Sequence, residues 1–429
     1  MEMTLALVGM FLLIALGVPI AFALAIVGLI GMILMVGVHP AIAQLMIVAW
    51  EYSTGFTIIA IPLFVLMGEL LFYSGLATEI YSSTRKLFGH LSGGLAIATV
   101  VASALFAACT GSSVAACATI GSIAYPEMKR YNYDAKLATG CIACAGTLGI
   151  MIPPSNIFIF YGIFTETSIG KLFMAGVLPG ILTAFLWISM VWLMCKRNPL
   201  LGPSTPKLPW KERILGMKQI WPVPIIFLVI LGGIYGGIFT ATEAASIGVG
   251  LVLLMLLFAR RLSSRVILDS VRGTTRIAVM VIFIIIGGVY FSHFLVLTGT
   301  IATIVNAITG LPVNPIVIII ALMPLYLFLG CVLDVLGMIV LTLPFVFPVI
   351  IELGFSPVWF GVVICVLSEV ALVTPPIGVN VFTMHGVAPE VPLPTIFRGV
   401  VPFFLRDLMI LALIIAFPQI CLWLPGTMR

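Results

Sequence analysis

Charge is scarce in this sequence: only 8% of its 429 residues are Asp, Glu, Lys or Arg, and 62% are hydrophobic. An ordinary soluble domain carries roughly 25% charged residues, so a water-soluble fold of this length is excluded. The alternating polar and apolar residues of a membrane β-barrel are also missing. Apolar runs of about 20 residues, long enough to cross roughly 30 Å of hydrocarbon as helices, recur instead from Met3 almost to the C-terminus. No GxxxxGK[ST] phosphate loop occurs, so ATP hydrolysis is not implied. His39, His90, His293 and His385 share no metal-ligand spacing. Most of the cysteines, among them Cys109, Cys117, Cys141, Cys144, Cys331 and Cys365, lie inside apolar runs. Cys141 and Cys144 form a CxxC with no second pair, and tight packing of small residues accounts for them more simply than metal or redox chemistry. The net charge of +5 is scattered over short loops rather than gathered into a patch for nucleic acid. The run from Met3 to Val38 lacks a basic leader and continues into further apolar sequence, which reads as mature membrane helix rather than a signal peptide.

What the chain does have is proline and glycine where a membrane helix should avoid them. GTLGIMIPPSN, Gly146 to Asn156, places two adjacent prolines and two glycines inside an apolar, membrane-length segment. Each proline removes a backbone donor and clashes with the preceding turn, so the helix must break there. Unpaired carbonyls at membrane depth survive only where they line a protected cavity. A second copy, VALVTPPIGVN from Val370 to Asn380, follows with its prolines 222 residues later. Phe106, Cys109, Pro126, Pro153 and Pro154 recur at that spacing as Phe328, Cys331, Pro348, Pro375 and Pro376. After small gaps, Glu166, Phe173 and Pro179 are matched by Glu390, Phe397 and Pro402. Paired broken helices in corresponding halves point to a secondary-transporter binding site.

The expected architecture is an all-α polytopic membrane protein of two inverted repeats, 1–196 and 219–429, joined by a cytoplasmic connector at 197–218. Each repeat carries a re-entrant helical hairpin (about 91–126 and 312–348) and a broken helix (about 135–164 and 357–388). CTGSS at Cys109 to Ser113 divides the first hairpin into arms of about 16 and 12 residues, each too short to cross alone; the second turns at Gly330 to Asp334. His39–Gly55 and Arg260–Arg276 read as amphipathic pieces at the interface, and Phe56 to about Ser82 as one span. With the N-terminus outside, all Lys and Arg except Lys171 and Arg429 fall in cytoplasmic loops. That is the asymmetry the positive-inside rule demands, and it leaves both termini periplasmic and the two hairpins opening from opposite faces.

Hydroxyl, carboxylate and freed backbone oxygens suit sodium. One candidate site joins Ser103, Ser112 and Ser113 to Gly149, Ile152 and Pro153. The other joins Gly330, Val332 and Asp334 to Thr374, Pro376 and Gly378. Asp334 stands out because an ionised carboxylate at membrane depth costs on the order of 2.5–3.5 kcal/mol unless it is compensated. Between the sites, amides at Ser155, Asn156, Gly378 and Asn380 would suit an anionic substrate. Serine back-bonding to its own helix and a capping role for Asp334 are the competing readings. Glu69 and Glu369 also lie within spans, either as proton or cation sites or as groups near an interface or paired across helices.

GTLGIMIPPSN, the GSS tip, the run from Asp334 through MIVLTLPFVFP, and ALVTPPIGVNVF together resemble the large membrane subunit of tripartite ATP-independent periplasmic (TRAP) transporters, over nearly the whole chain. The resemblance implies an elevator-type, Na+-coupled importer in the bacterial inner membrane. It implies two partners, a small four-helix membrane subunit and a periplasmic substrate-binding protein; the outer loop at Glu166–Ser168 reads as the docking surface for the latter. It implies an organic-acid substrate of the C4-dicarboxylate or sialic acid class. Rival readings are a stand-alone sodium- or proton-coupled carboxylate carrier, a channel, and an intramembrane aspartyl protease using Asp334. The protease lacks a second catalytic carboxylate: Asp134 and Asp269 fall in loops and Asp407 near a span end.

Overall fold

The computed structural model describes residues 2–330 and 333–428, without the side chains of 2–4, 107–109, 217–219 and 222. Among the described residues there is no strand. The first half runs α1 (Glu2–Ala15), α2 (Ile20–Val36), α3 (Val38–Thr54), a 3-10 turn at Phe56–Ile59, α4 (Ala60–Tyr73), α5 (Leu76–Phe88), α6 (Gly94–Thr110), α7 (Ser113–Arg130), α8 (Ala135–Met151), α9 (Asn156–Phe164) and α10 (Ile169–Arg197). The second runs α11 (Trp210–Ile220), α12 (Pro222–Tyr235), α13 (Ala241–Phe258), α14 (Ser264–Leu297), α15 (Thr300–Thr309), α16 (Pro315–Gly330), α17 (Val335–Glu352), α18 (Pro357–Val373), α19 (Val379–Val387), α20 (Leu393–Ala416) and α21 (Gln419–Gly426). Among the described residues six helical segments are long and apolar enough to cross a bilayer, and the α8–α9 pair, bent by 41°, makes a seventh if taken as one span.

Both double prolines interrupt the chain between helices, after Met151 and after Val373, and both Pro-Pro bonds are cis. Elements 222 residues apart match closely in length. Both α8 and α18 have 17 residues, α9 and α19 have nine, and α7 and α17 have 18.

Three boundaries differ from the sequence reading. The span from Phe56 ends at Tyr73 rather than near Ser82, because Gly75 takes a left-handed conformation at φ +75 and starts the amphipathic α5. Gly299, at φ +67, starts α15 in the same way, and in both cases the turn uses a backbone region that only glycine enters freely. The stretch Arg260–Arg276 is not a separate interfacial piece. Beyond Ser263 it continues into the 34-residue α14, since nothing between Arg276 and Ile277 breaks a helix. The return arm of the first hairpin passes through Pro126 to Arg130, 18 residues rather than about 12. By length and composition α17 could also cross a membrane by itself.

Two packing groups result. In one, α14 lies against α2 and α4, and α4 against α13. In the other, α8 is surrounded by α6, α7, α18 and α20. Small residues let α8 and α20 cross backbone to backbone: a Cβ added to Gly140 would collide with the main chain of Gly399, and one on Gly399 with that of Lys136.

The polar ends of the bundle sort into two sets. At one end, Arg85 pairs with Glu127 (2.7 Å), Lys129 with Glu390 (2.6 Å) and Arg261 with Glu79. Arg213 donates to Leu87 O at 2.9 Å in the same neighbourhood. At the other end, Glu51, Tyr52, Thr57, Glu166, Ser168 and Thr240 border an open pocket of about 630 Å³.

Candidate functional site

The turn between α6 and α7 lies directly on the first helix break. A Cβ added to Gly149 would meet Ser112 at 3.1 Å, and one on Gly111 would meet Asn156 at 3.3 Å. Ser112 caps α7, accepting from Ala115 N at 3.4 Å. Asp334 occupies the matching N-cap of α17, close enough to Gly337 that any side chain there would strike its carboxylate. Gly330, at the end of α16, packs on Ala371 just before the second break.

These parts converge on one cavity of about 280 Å³. Its polar lining includes Thr110, Ser112, Ser113 and Asn156 from the first hairpin and break, Asp334 from the second hairpin, and Glu69 from α4. Leu372 and Val379 bring in both flanks of the second break. No Lys, Arg or His is among the lining residues. Two carboxylates, several hydroxyls and an amide therefore face a space without a basic side chain, a donor set suited to hard cations.

The other nominated residues sit elsewhere. Ser155 is fully buried, and its Oγ donates to Ile150 O across the first break. Cys365 Sγ donates to the same carbonyl at 2.9 Å, so this backbone acceptor is matched by side chains. Ile152 and Pro153 lie in the break itself, with Pro153 buried. Ser103 is buried in α6, and its Oγ has no hydrogen-bond partner. Thr374 Oγ1 bonds back to Val370 O at 2.6 Å. Pro376 is exposed, and Gly378 holds the left-handed turn into α19 at φ +56. Asn380 is fully buried and reaches across the core, Nδ2 donating to Ala143 O at 3.1 Å. Val332 lies outside the described residues, as does Cys331.

Sequence reasoning left Glu69 uncommitted, yet it borders the cavity and lies against Gly273 of α14. A carboxylate in an apolar span was the available signal; that Gly273 on the neighbouring helix makes room for it shows only in the fold. Asp407 is not near a span end. It is 1% exposed inside α20, where it accepts a hydrogen bond from Trp187 Nε1 at 2.9 Å.

A family model described as "Tripartite ATP-independent periplasmic transporter, DctM component" matches residues 7–420. The C4-dicarboxylate TRAP transporter large permease protein DctM of Pseudomonas aeruginosa is 34% identical over 392 residues, covering 90% of each chain. The sialic acid TRAP transporter large permease protein SiaM of Vibrio cholerae is 30% identical, covering 95% of each. The isethionate TRAP transporter permease protein DctMQ of Oleidesulfovibrio alaskensis is 33% identical, over 97% of this chain and 65% of that one. Among solved structures, the Alcanivorax borkumensis YdaH transporter superposes with a TM-score of 0.57 at 15% identity, covering 90% of both chains. That likeness concerns the fold.

Proposed function

The chain belongs to the DctM component family of tripartite ATP-independent periplasmic transporters, and from that premise we propose that it imports an organic acid by sodium coupling in an elevator movement. Membership makes it the large permease subunit, a multi-pass protein of the bacterial inner membrane. It also implies a small membrane subunit and a periplasmic binding protein as partners. The relatives are named as transporter components, not enzymes.

The observation that supports sodium coupling is the cavity's lining. An anionic substrate entering a site that holds Glu69 and Asp334 and no basic side chain needs cations to offset like charge. Sodium fits the hydroxyl and carboxylate donors of Ser112, Ser113 and Asp334, with backbone oxygens of Gly149, Ile152, Gly330 and Thr374 as further candidates. Asn156 and its amide, at the start of α9, supply donors for the substrate acid. Relatives are named for C4-dicarboxylates, sialic acid, isethionate and ectoine, most of them acids, and we assign this chain to the organic-acid class, with C4-dicarboxylate and sialic acid foremost. In this reading the hairpins and broken helices move against α2, α4, α13 and α14. The pocket at Glu51, Glu166 and Ser168 faces the periplasm and receives the binding protein.

The test is uptake into liposomes holding this chain, its small subunit and its binding protein, under an inward sodium gradient, with labelled succinate, N-acetylneuraminate and isethionate. Uptake is expected only with all three proteins and sodium present. Uptake by this chain alone, or undiminished uptake with potassium replacing sodium, would overturn the reading.

A further inference from the structure

Acids and bases do not balance at the ion-paired end of the bundle. The carboxylates there are taken: Glu127 pairs with Arg85, Glu390 with Lys129 and Glu79 with Arg261, while Asp134 caps α8. Where the connector helix α11 packs on α5, four cations are left over. Arg213 of α11 donates from Nη2 to Leu87 O at 2.9 Å, and its Nε is buried without an acceptor. One turn along, a Cβ added to Gly216 would meet the Lys86 side chain at 3.1 Å, so Lys86 runs along the same helix. Thr205 N–H donates to Gly89 O at 2.8 Å, which brings the connector to this turn two residues before Lys207. Lys211 is exposed in the first turn of α11. Among the described residues none of these four cations forms an ion pair, and Glu212, the acidic residue of α11, pairs with none of them. Burial, and after it the charges of Arg213 and Lys207, hold the His90 imidazole below its ordinary pKa, as expected beside cations that nothing neutralises.

Beside these cations the surface is apolar. Trp210, Ile214 and Leu215 of α11 are exposed, as is Trp221 where α11 gives way to α12. Trp210 stands beside the Arg213 guanidinium, its ring centroid 5.1 Å from Cζ. The patch also belongs at the level of the bilayer surface, because the membrane-length α10 ends at Arg197 and the apolar α12 begins at Pro222. Tryptophan among lysine and arginine is the composition of a membrane–water interface. A soluble anion would neutralise the cations and leave Trp210, Ile214 and Leu215 uncovered. An amphiphile with a negative head satisfies both. We propose that Lys86, Lys207, Lys211 and Arg213 form a site for the headgroup phosphate of an anionic phospholipid whose acyl chains lie along Trp210, Ile214 and Leu215. The bound lipid ties the connector between the two halves to α5 and so to the base of the first hairpin. None of these residues lines the cavity, and the site does not depend on which ion or substrate that cavity binds.

Native mass spectrometry of the chain with its small subunit, titrated in detergent with phosphatidylglycerol or with phosphatidylcholine of the same acyl chains, tests this directly. The wild-type complex should hold phosphatidylglycerol in preference to phosphatidylcholine. The double variant Lys86→Gln/Lys207→Gln should weaken phosphatidylglycerol binding on the order of tenfold or more, following the attraction of each basic residue for an anionic lipid surface, and leave phosphatidylcholine binding unchanged. Arg265→Gln/Arg272→Gln, which removes the same charge elsewhere, should leave both unchanged. Equal binding of the two lipids to the wild type would overturn the proposal, as it would if the small subunit covered the patch. Equal losses in the two double variants would overturn it too, since diffuse surface charge would then account for the binding. So would displacement of phosphatidylglycerol by inorganic phosphate beyond what chloride of equal ionic strength achieves, which would make this a site for a soluble anion. Should Lys86→Gln/Lys207→Gln fail to fold, Lys207→Gln alone, at an exposed connector position, decides the matter with a loss of about fivefold.

Discussion

The same motif is used in two ways. In the first half the break is closed: Pro153, Pro154 and Ser155 are buried, and the tip at Gly111–Ser113 lies on Gly149 and Asn156. In the second half Pro375, Pro376 and Ile377 are exposed, and so is Asp334 at the tip. Chemistry differs along with burial. At the spacing of 222, Ser112 stands opposite Asp334 and Thr147 opposite Glu369. The first-half members are hydroxyls with local partners, Ser112 accepting from Ala115 N and Thr147 donating to Cys144 O at 2.9 Å. A hydroxyl can satisfy itself on its own helix, whereas a carboxylate requires a cation, a donor or a proton. One half therefore supplies rigid backbone shape and the other supplies charge.

The largest effect should separate the two tips. Asp334→Asn keeps size and removes the charge, and it should lower the initial rate of sodium-driven uptake by on the order of 100-fold or more, equivalent to about 2.7 kcal/mol of lost transition-state stabilisation. Ser112→Ala, measured in the same liposomes, should cost only a few-fold. Equal losses would end the distinction between a charged and a structural tip.

Next comes access. In a background where the native cysteines are replaced, a cysteine at Ile377 should react with a membrane-impermeant maleimide at least about tenfold faster than one at Ser155, following exposure of the thiol. Similar rates at the two positions would show that the second break faces lipid or a partner rather than water.

The halves also differ in packing. Gly140 of α8 meets the Gly399 backbone, while Val362, its counterpart 222 residues on, is a fully buried valine. Copying that valine into the first half as Gly140→Val should destabilise the protein by about 1–3 kcal/mol, the usual cost of overpacking, or more if the helices cannot part. A lowered Tm in detergent would show it, and Val362→Ala, which opens space without a clash, should lower Tm less.

The features legible in the sequence were those a chain cannot hide in an apolar background. Double prolines break helices wherever they occur, and their recurrence in register marked both breaks and both tips. Asp334 and the Ser112–Ser113 pair were legible because polar atoms at membrane depth need a reason. The role of Asn380 was not, since its partner Ala143 O lies 237 residues away and only the tertiary fold brings them together. The tie from the Ser155 hydroxyl to Ile150 O was not legible either, because local sequence does not show that this carbonyl is turned toward it. The ends of α4 and α14 were misplaced for a different reason. In a chain this apolar, periodicity has little contrast, and one glycine conformation at Gly75, or the lack of any breaker after Arg276, settles the boundary.

The smallest effect should come from the ion pair that ties the first hairpin to the end of the second broken helix. Lys129 and the hydroxyl of Tyr125 both donate to Glu390 Oε1, at 2.6 and 3.0 Å, and Lys129 holds the carboxyl down to about 2, well below its ordinary value. A carboxyl depressed in the folded state contributes stability that is present above its unfolded value and is lost as pH falls toward 2. Between pH 5 and 8 the pair is therefore fully formed and unchanging. Both side chains are exposed, so solvent and salt screen the attraction, and exposed pairs of this kind contribute little. Glu390→Gln should leave Tm at pH 7 within about a degree of wild type and flatten the acid side of a stability-versus-pH curve only below about pH 4.5. A large loss of uptake in this variant with Tm unchanged would reverse the ranking, because it would mean that the link between the two halves, rather than the chemistry of either tip, governs transport.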